Sequence, residues 1–304
     1  MHAHPDDETI NDGALMARYA DEGAHVTLVT CTLGELGEVL VPELAHLSVD
    51  RDGGLGEHRV GELAAAMDVL GVTDHRFLGG AGRYHDTGMV WSDTGGAMVP
   101  PEVPAGSFWS ADLLEATDHL VEILREVRPQ VLVTYDQLGG YGHPDHVQAH
   151  RVATYAVALA AAPSYRPELG DAWDVAKVYW TSRSAEQMRE GIRSLRESGD
   201  TTTFGGLDPD GPMPPFAVEE KLLTARVDGT AYVQRKLAAM RTHATQIAVD
   251  GPFFALSNNL GEQVWGLEYY RLVKGIPGPR DEQTGLESDL FAGLDVDGPH
   301  AEGA

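Results

Sequence analysis

The chain has 304 residues, 42% of them hydrophobic, enough for one large domain, or a domain with a smaller partner, around a sizeable core. Its 47 acidic residues against 22 basic ones leave a formal net charge of −25, a surface that repels phosphate backbones, so neither nucleic acid nor anionic membrane is expected as a partner. Cys31 has no second cysteine to pair with, and with no apolar run long enough to span a bilayer and no signal-peptide pattern, a cytoplasmic protein is expected.

The first eight residues, Met1-His2-Ala3-His4-Pro5-Asp6-Asp7-Glu8, pack two histidines and three carboxylates ahead of a helical pattern. Asn11 or Asp12 is the expected cap of a helix through Leu15, Met16, Tyr19 and Ala20. Residues 25–31 are rich in β-branched side chains and read as a buried strand, followed by a Gly- and Glu-rich loop over 32–39. A helix is predicted over 57–70 with Gly71 as its stop, then a short strand over 75–78. Residues 79–106 are dense in Gly, Pro, Asp and Ser and long for a connection, which suggests a binding loop or lid. A helix over 111–127 closes at Pro129, a buried strand covers 131–135, and a Gly-rich loop then carries Tyr141-Gly142-His143-Pro144-Asp145-His146 into a helix over 145–162.

Strands alternating with helices argue an α/β fold with a parallel sheet covered on both faces, and in such sheets ligands bind at the carboxyl ends of strands. Both His/Asp clusters fall there, if the residues ahead of His4 are extended. Residues 1–165 are therefore the expected catalytic region. Residues 166–304 are expected to complete the domain, with a strand over 177–181, helices over 186–196 and 232–245, a Gly- and Pro-rich loop over 205–215, a strand ending the stretch 264–273, and poor order from about 278.

Neutral imidazole and carboxylate are the usual ligands of a zinc-like ion, and a catalytic zinc keeps three protein ligands and an open position. The two clusters read as halves of one hydrolytic metal site. Adjacent Asp6 and Asp7 cannot point the same way, so one can bind metal while the other serves as general base to water made acidic by the metal. Taken alone, Asp6-Asp7-Glu8 is equally a helix cap and dipole complement; His4 and the second cluster tip the reading toward metal. In the second cluster His146, on the helix, is the better third ligand. His143, in the loop, is read as a protonated group facing the substrate carbonyl, and Asp145 as the holder of a nearby imidazole. His150 reads as a surface or supporting residue. His58, His75, His85, His119 and His243 carry no spacing signal, and a structural role is expected for each.

His4-Pro5-Asp6-Asp7-Glu8 and His143-Pro144-Asp145-His146 resemble the paired signatures of the zinc-dependent N-acetylglucosaminyl deacetylases, a family with a Rossmann-like fold. Thr30-Cys31-Thr32-Leu33-Gly34-Glu35, Gly79-Gly80-Ala81-Gly82-Arg83, Gly139-Gly140-Tyr141-Gly142 and His243-Ala244-Thr245-Gln246 are similar to its actinobacterial branch, which deacetylates an N-acetylglucosaminyl-inositol in mycothiol biosynthesis. The resemblance spans roughly residues 2–275. It implies one Zn2+ per subunit, with Fe2+ as the other ion that suits such ligands, held by His4, Asp7 and His146. It further implies Asp6 as general base, His143 as general acid or electrostatic partner, Tyr141 at the oxyanion, and Arg59, Asp86 and Glu38 toward a small glycoside substrate. Members of the family begin with an apolar strand before the first motif, whereas here only Met1-His2-Ala3 precede it; the expectations are a start placed downstream of the real one and, for the chain as written, low solubility or weak metal binding. The rival readings are the sister mycothiol S-conjugate amidases and a sugar-binding protein impaired in catalysis. The sequence is silent on oligomeric state.

Overall fold

A computed structural model describes residues 1–93, 96–251, 254 and 265–294. Three extended residues lead into α1 (Asp7–Asp21), β1 (Thr27–Thr30), α2 (Leu55–Leu70), β2 (Asp74–Phe77), the two-residue strands β3 (Val90–Trp91) and β4 (Ala97–Met98), and α3 (Leu113–Val127). Then come β5 (Val131–Thr134), the one-turn α4 (Gly139–Gly142), α5 (Pro144–Ala160), β6 (Lys177–Ser184), α6 (Ala185–Glu197), β7 (Ala217–Val218), β8 (Ala225–Asp228), α7 (Val233–Thr242) and β9 (Leu267–Lys274). Local chemistry sets several ends. Asp112 caps α3 by accepting from the Leu114 and Glu115 amides, and Gly71, at φ 79°, stops α2 in a conformation that suits glycine.

The strands follow the α/β plan where the helices cross over. β1 pairs parallel with β2 across α2, and β5 pairs parallel with β6 across α5. Beyond β6 the sheet turns antiparallel through β9 and β8, while β7 adds a short parallel pair at the end of β6. Residues 1–3 lie between the two parallel pairs. The His2 amide donates to Val29 O, the Cys31 amide donates to His2 O, and the Met1 amino group donates to Val133 O at 2.8 Å. Both expected motif positions thus sit at carboxyl ends of extended segments.

Helices cover the sheet with apolar side chains. Leu63, Met67 and Leu70 of α2 pack with Met16, Ala17 and Leu28, while Leu120 and Leu124 of α3 pack with Ala149, Val152 and Ala156 of α5. Each fully buried Leu among these contributes about 1.5–3 kcal/mol by leaving water. No helix among the described residues is long and apolar enough to cross a membrane.

Three expectations change. The first helix starts at Asp7, not after Asn11 or Asp12, because the motif itself turns the chain at Asp6. Asn11 instead donates to Asp7 O inside the helix, and Asp12 is buried 2.7 Å from His2 Nε2. The stretch 79–106 contains the β3–β4 hairpin, and β8, unforeseen, pairs with β9. The segment from about 278 is packed through residue 294: Glu287 accepts from Lys177 Nζ and the Tyr179 hydroxyl, both at 2.8 Å, and Asp289 accepts from the Tyr19 hydroxyl. Polar composition misled there because buried charge pairing holds the segment together with only two apolar anchors, Leu290 and Phe291. The start of the stretch expected to end in β9 and residues 295–304 lie outside the described residues.

Candidate active site

The two motifs meet where the turn after residues 1–3 faces the loop after β5. His4 and Asp7 come from the turn and first residue of α1, and His146 comes from the first turn of α5. Asp7 Oδ2 lies 3.2 Å from His4 Nδ1 and 3.2 Å from His146 Nε2. Zinc distances of about 2.0–2.1 Å place tetrahedral ligand atoms ~3.3 Å apart, so each of the two nitrogens stands at ligand spacing from the Asp7 oxygen. His146 Nε2 is buried yet has no hydrogen-bond partner, although a carboxylate oxygen is 3.2 Å away. An orphaned nitrogen beside a misaligned carboxylate is what a pair aimed at a third body looks like.

The far side of each ligand is fixed. His146 Nδ1 carries a proton, since it meets the Gly139 carbonyl at 3.2 Å, so Nε2 is the nitrogen that can turn a lone pair to a cation beside Asp7. The Tyr135 ring stacks on His146 at 4.3 Å. Gly139 is required by that approach: at φ 63°, a Cβ there would lie 2.7 Å from His146 Cβ. His4 Nε2 meets Asp145 Oδ2 at 3.2 Å, and Asp145 is itself held by the Thr87 amide and hydroxyl. Asp145 therefore holds an imidazole, and the imidazole is His4.

The field of the site calls for positive charge. Burial works against a charged His4, yet Asp86, Asp145 and Asp7 outweigh it and raise the imidazole well above its usual range. Burial likewise works against an ionised Asp7, but His146 and His4 hold it well below the ordinary carboxylate range. The residues fit a divalent cation. Among the described residues, the sets of three or more buried donors that all lie close enough together to hold an ion are His4 with His143 and His146, and His4 with Asp86, His143 and Asp145, while Asp7 lies near His4 and His146 one at a time. In both, the Nδ1 of His143 is already taken, accepting from the Asp145 amide at 3.1 Å.

Asp6 stands apart from its neighbour. Its φ is 111°, a left-handed backbone on a residue with a side chain, costing roughly 1–3 kcal/mol. Burial pushes its carboxyl up to about 7, opposed by Arg59 and helped by the Asp7 charge. A carboxylate titrating there suits a base working near neutrality. Arg59, expected toward substrate, is buried: it bonds Gly34 O at 2.8 Å and Pro5 O, and lies 3.2 Å from Asp6 Oδ2.

His143 caps α5 and its ring lies 4.6 Å from that of His4. Burial and then the His4 and His146 charges push it down to about 2, so it is a neutral imidazole with Nε2–H free to donate, not the protonated group expected. Burial holds the Tyr141 phenol above its usual range, so it too is a donor; its ring lies 5.1 Å from His146 and stacks on Trp91. Gly142, at φ 101°, sits where a Cβ would lie 2.6 Å from Ala97 O, which locks the Tyr141 loop to the β3–β4 hairpin. Asp86 is buried with Oδ1 3.6 Å from His4 Nε2. Glu38 lines a cavity of about 390 Å³ with Leu36, Val39, Ser48 and Arg51, and its carbonyl accepts from Gln246. His150 bonds Tyr135 O and packs on Trp180. Thr87 and Tyr135 were not singled out from sequence; only the position of Tyr135 at the end of a strand, just before the Gly-rich loop, marked it.

A family model described as GlcNAc-PI de-N-acetylase matches residues 1–157. A 1D-myo-inositol 2-acetamido-2-deoxy-alpha-D-glucopyranoside deacetylase of Kribbella flavida is 65% identical over 294 residues, covering 97% of this chain and 96% of that one. Its namesake from a Nocardioides species is 64% identical, covering 97% of each. Among solved structures, the N,N'-diacetylchitobiose deacetylase of Pyrococcus horikoshii shares the fold at a TM-score of 0.57 and 20% identity, over 90% of this chain and 82% of that one.

Proposed function

The chain belongs to the GlcNAc-PI de-N-acetylase family, and from that premise we propose that it hydrolyses the N-acetyl group of 1D-myo-inositol 2-acetamido-2-deoxy-α-D-glucopyranoside, a step of mycothiol biosynthesis. The products are acetate and the free amine. The cation is zinc, which suits a two-imidazole, one-carboxylate set, held by His4, Asp7 and His146. Residues 166–304 complete the same domain. The observation that carries the reading is Asp7 Oδ2 at 3.2 Å from both ligand nitrogens, next to a base titrating at about 7.

When bound, the cation supplies Lewis acidity toward the acetamide oxygen and makes a water more acidic. The chain does the rest. Asp6 takes a proton from the attacking water as its oxygen bonds the acetyl carbon. The Tyr141 hydroxyl and His143 Nε2–H donate to the oxygen on which negative charge develops; Tyr141 is held by stacking on Trp91 and His143 by the bond from the Asp145 amide to its Nδ1. The C–N bond breaks as the glucosamine nitrogen gains a proton, returned by Asp6. Asp145 keeps His4 oriented, and Asp86 and Glu38 line the approach of the substrate hydroxyls. Arg59 acts on Asp6 rather than on the substrate.

The test is release of free amine and acetate by zinc-loaded protein from the N-acetylglucosaminyl-inositol, alongside a mycothiol S-conjugate. Turnover of the first well above the second is expected. Turnover of the conjugate alone would transfer the chain to amidase activity, and binding without release from either would overturn the hydrolytic reading.

A further inference from the structure

Something must hold Asp6 in its left-handed backbone, and the motif alone does not do it. The Asp6 amide donates to Glu8 Oε2 at 2.9 Å, a contact between residues two apart that exists only with the chain turned this way. Glu8 is in turn not free to move. Its Oε1 accepts from the Thr9 hydroxyl at 2.6 Å and from His243 Nε2 at 2.9 Å, and both Glu8 and His243 are fully buried.

His243 comes from the other half of the chain, where it ends α7. Its carbonyl accepts from the Gln246 and Ile247 amides, and the Thr245 amide and hydroxyl are bound by Glu62 of α2. The helix behind it is seated by Leu237 and Met240, which pack with Ile10 of α1. The imidazole is thus presented to Glu8 from a rigid frame. Its Nδ1 has no partner among the described residues, so the ring's polar contacts are spent on Glu8 and Thr9.

We propose that His243 is a positioning residue for the hydrolysis: it holds the Glu8 carboxylate, which holds the Asp6 amide, and so aims the Asp6 side chain. Arg59 grips the Asp6 carboxylate from the other side. The base is therefore oriented at both ends, by its backbone N–H and by its Oδ2, through residues that touch neither metal nor substrate. This rests on Asp6 being the base.

The experiment compares the parent with His243→Phe and His243→Gln, all zinc-loaded, on the N-acetylglucosaminyl-inositol. Phe keeps the ring volume without the N–H, while Gln places an amide nitrogen near the position of Nε2. For Phe, kcat falls about ten- to a hundredfold, as expected for a small misplacement of a reacting group, with KM and metal content unchanged; Gln recovers most of it. A crystal structure of the Phe variant shows Asp6 relaxed from positive φ. A Phe variant with parental kcat overturns the proposal, as does parallel loss of kcat and metal without rescue by Gln. If the Phe variant does not fold, His243→Asn replaces it, since its amide nitrogen matches Nδ1 instead; kcat equal in the Asn and Gln variants then overturns the proposal. A parent that releases no acetate sinks the deacetylase reading and this inference together, whereas an active parent with an unaffected Phe variant sinks only the inference.

Discussion

Replacing Asp6 by Asn isolates the base from every other part of the site. The amide is the same size as the carboxylate, and Asn is, with Asp, among the side chains that best tolerate the φ of 111° found there. The backbone contact to Glu8 is untouched. Arg59 loses a charged partner 3.2 Å away but keeps the Gly34 and Pro5 carbonyls, so the fold survives. Asp7, His4 and His146 keep their positions, so metal content is unchanged. What is lost is the acceptor for the water proton. General-base assistance contributes about 10²–10⁴-fold, or roughly 3–5 kcal/mol of barrier at 1.36 kcal/mol per tenfold. Acetate release should fall by that factor with metal stoichiometry unaltered, measured by amine detection and elemental analysis on the same sample. Asp6→Ala should match it in rate but be less stable, since Ala at positive φ adds strain of about 1–2 kcal/mol. Release within tenfold of the parent at full metal occupancy would refute the role given to Asp6.

Two other outcomes follow from the geometry. Asp145→Asn removes the carboxylate at His4 Nε2, and metal affinity measured against a competing chelator should drop about 10–100-fold; unchanged affinity would show that the contact does not orient His4. In pH profiles, Asp6 works as the carboxylate, so kcat/KM is lost as pH falls. Its pKa of about 7 is lowered by a cation alongside, so the acid limb has an inflection no higher than about 7 and a slope of about tenfold per unit. An acid limb with its inflection clearly above 7 would mean that a group other than Asp6 sets it.

Much of the site was readable because its chemistry is written in short runs. His4, Asp6 and Asp7 sit in one turn, and His143, Asp145 and His146 in another, so side-chain type and clustering mark both runs as candidates, while the roles within them came from the family resemblance. The core elements were readable for a similar reason: β1, α2, α3, β5 and α5 carry runs of apolar side chains or explicit stops such as Gly71 and Pro129. The partners of Arg59, the Pro5 and Gly34 carbonyls and Asp6, were not readable, because only the fold brings them to it. The lowered pKa of His143 was not readable because it depends on burial and on two other imidazoles that the fold places around it. β8 was missed because its alternation of buried Ala225 and Val227 with Arg226 and Asp228 spans only four residues, too short to stand out until β9 lies beside it.

The order of residues by itself determined which groups could bind a cation and which could take a proton, since that follows from side-chain type and from neighbours a few residues away. Only the tertiary structure decided which nitrogen of each imidazole faces the carboxylate, which carboxylate titrates near neutrality, and that His243, 235 residues from Glu8 in the chain, holds the strained turn. Those properties are set by burial and by charges a few ångströms distant, and distance in space is the quantity a linear sequence does not contain.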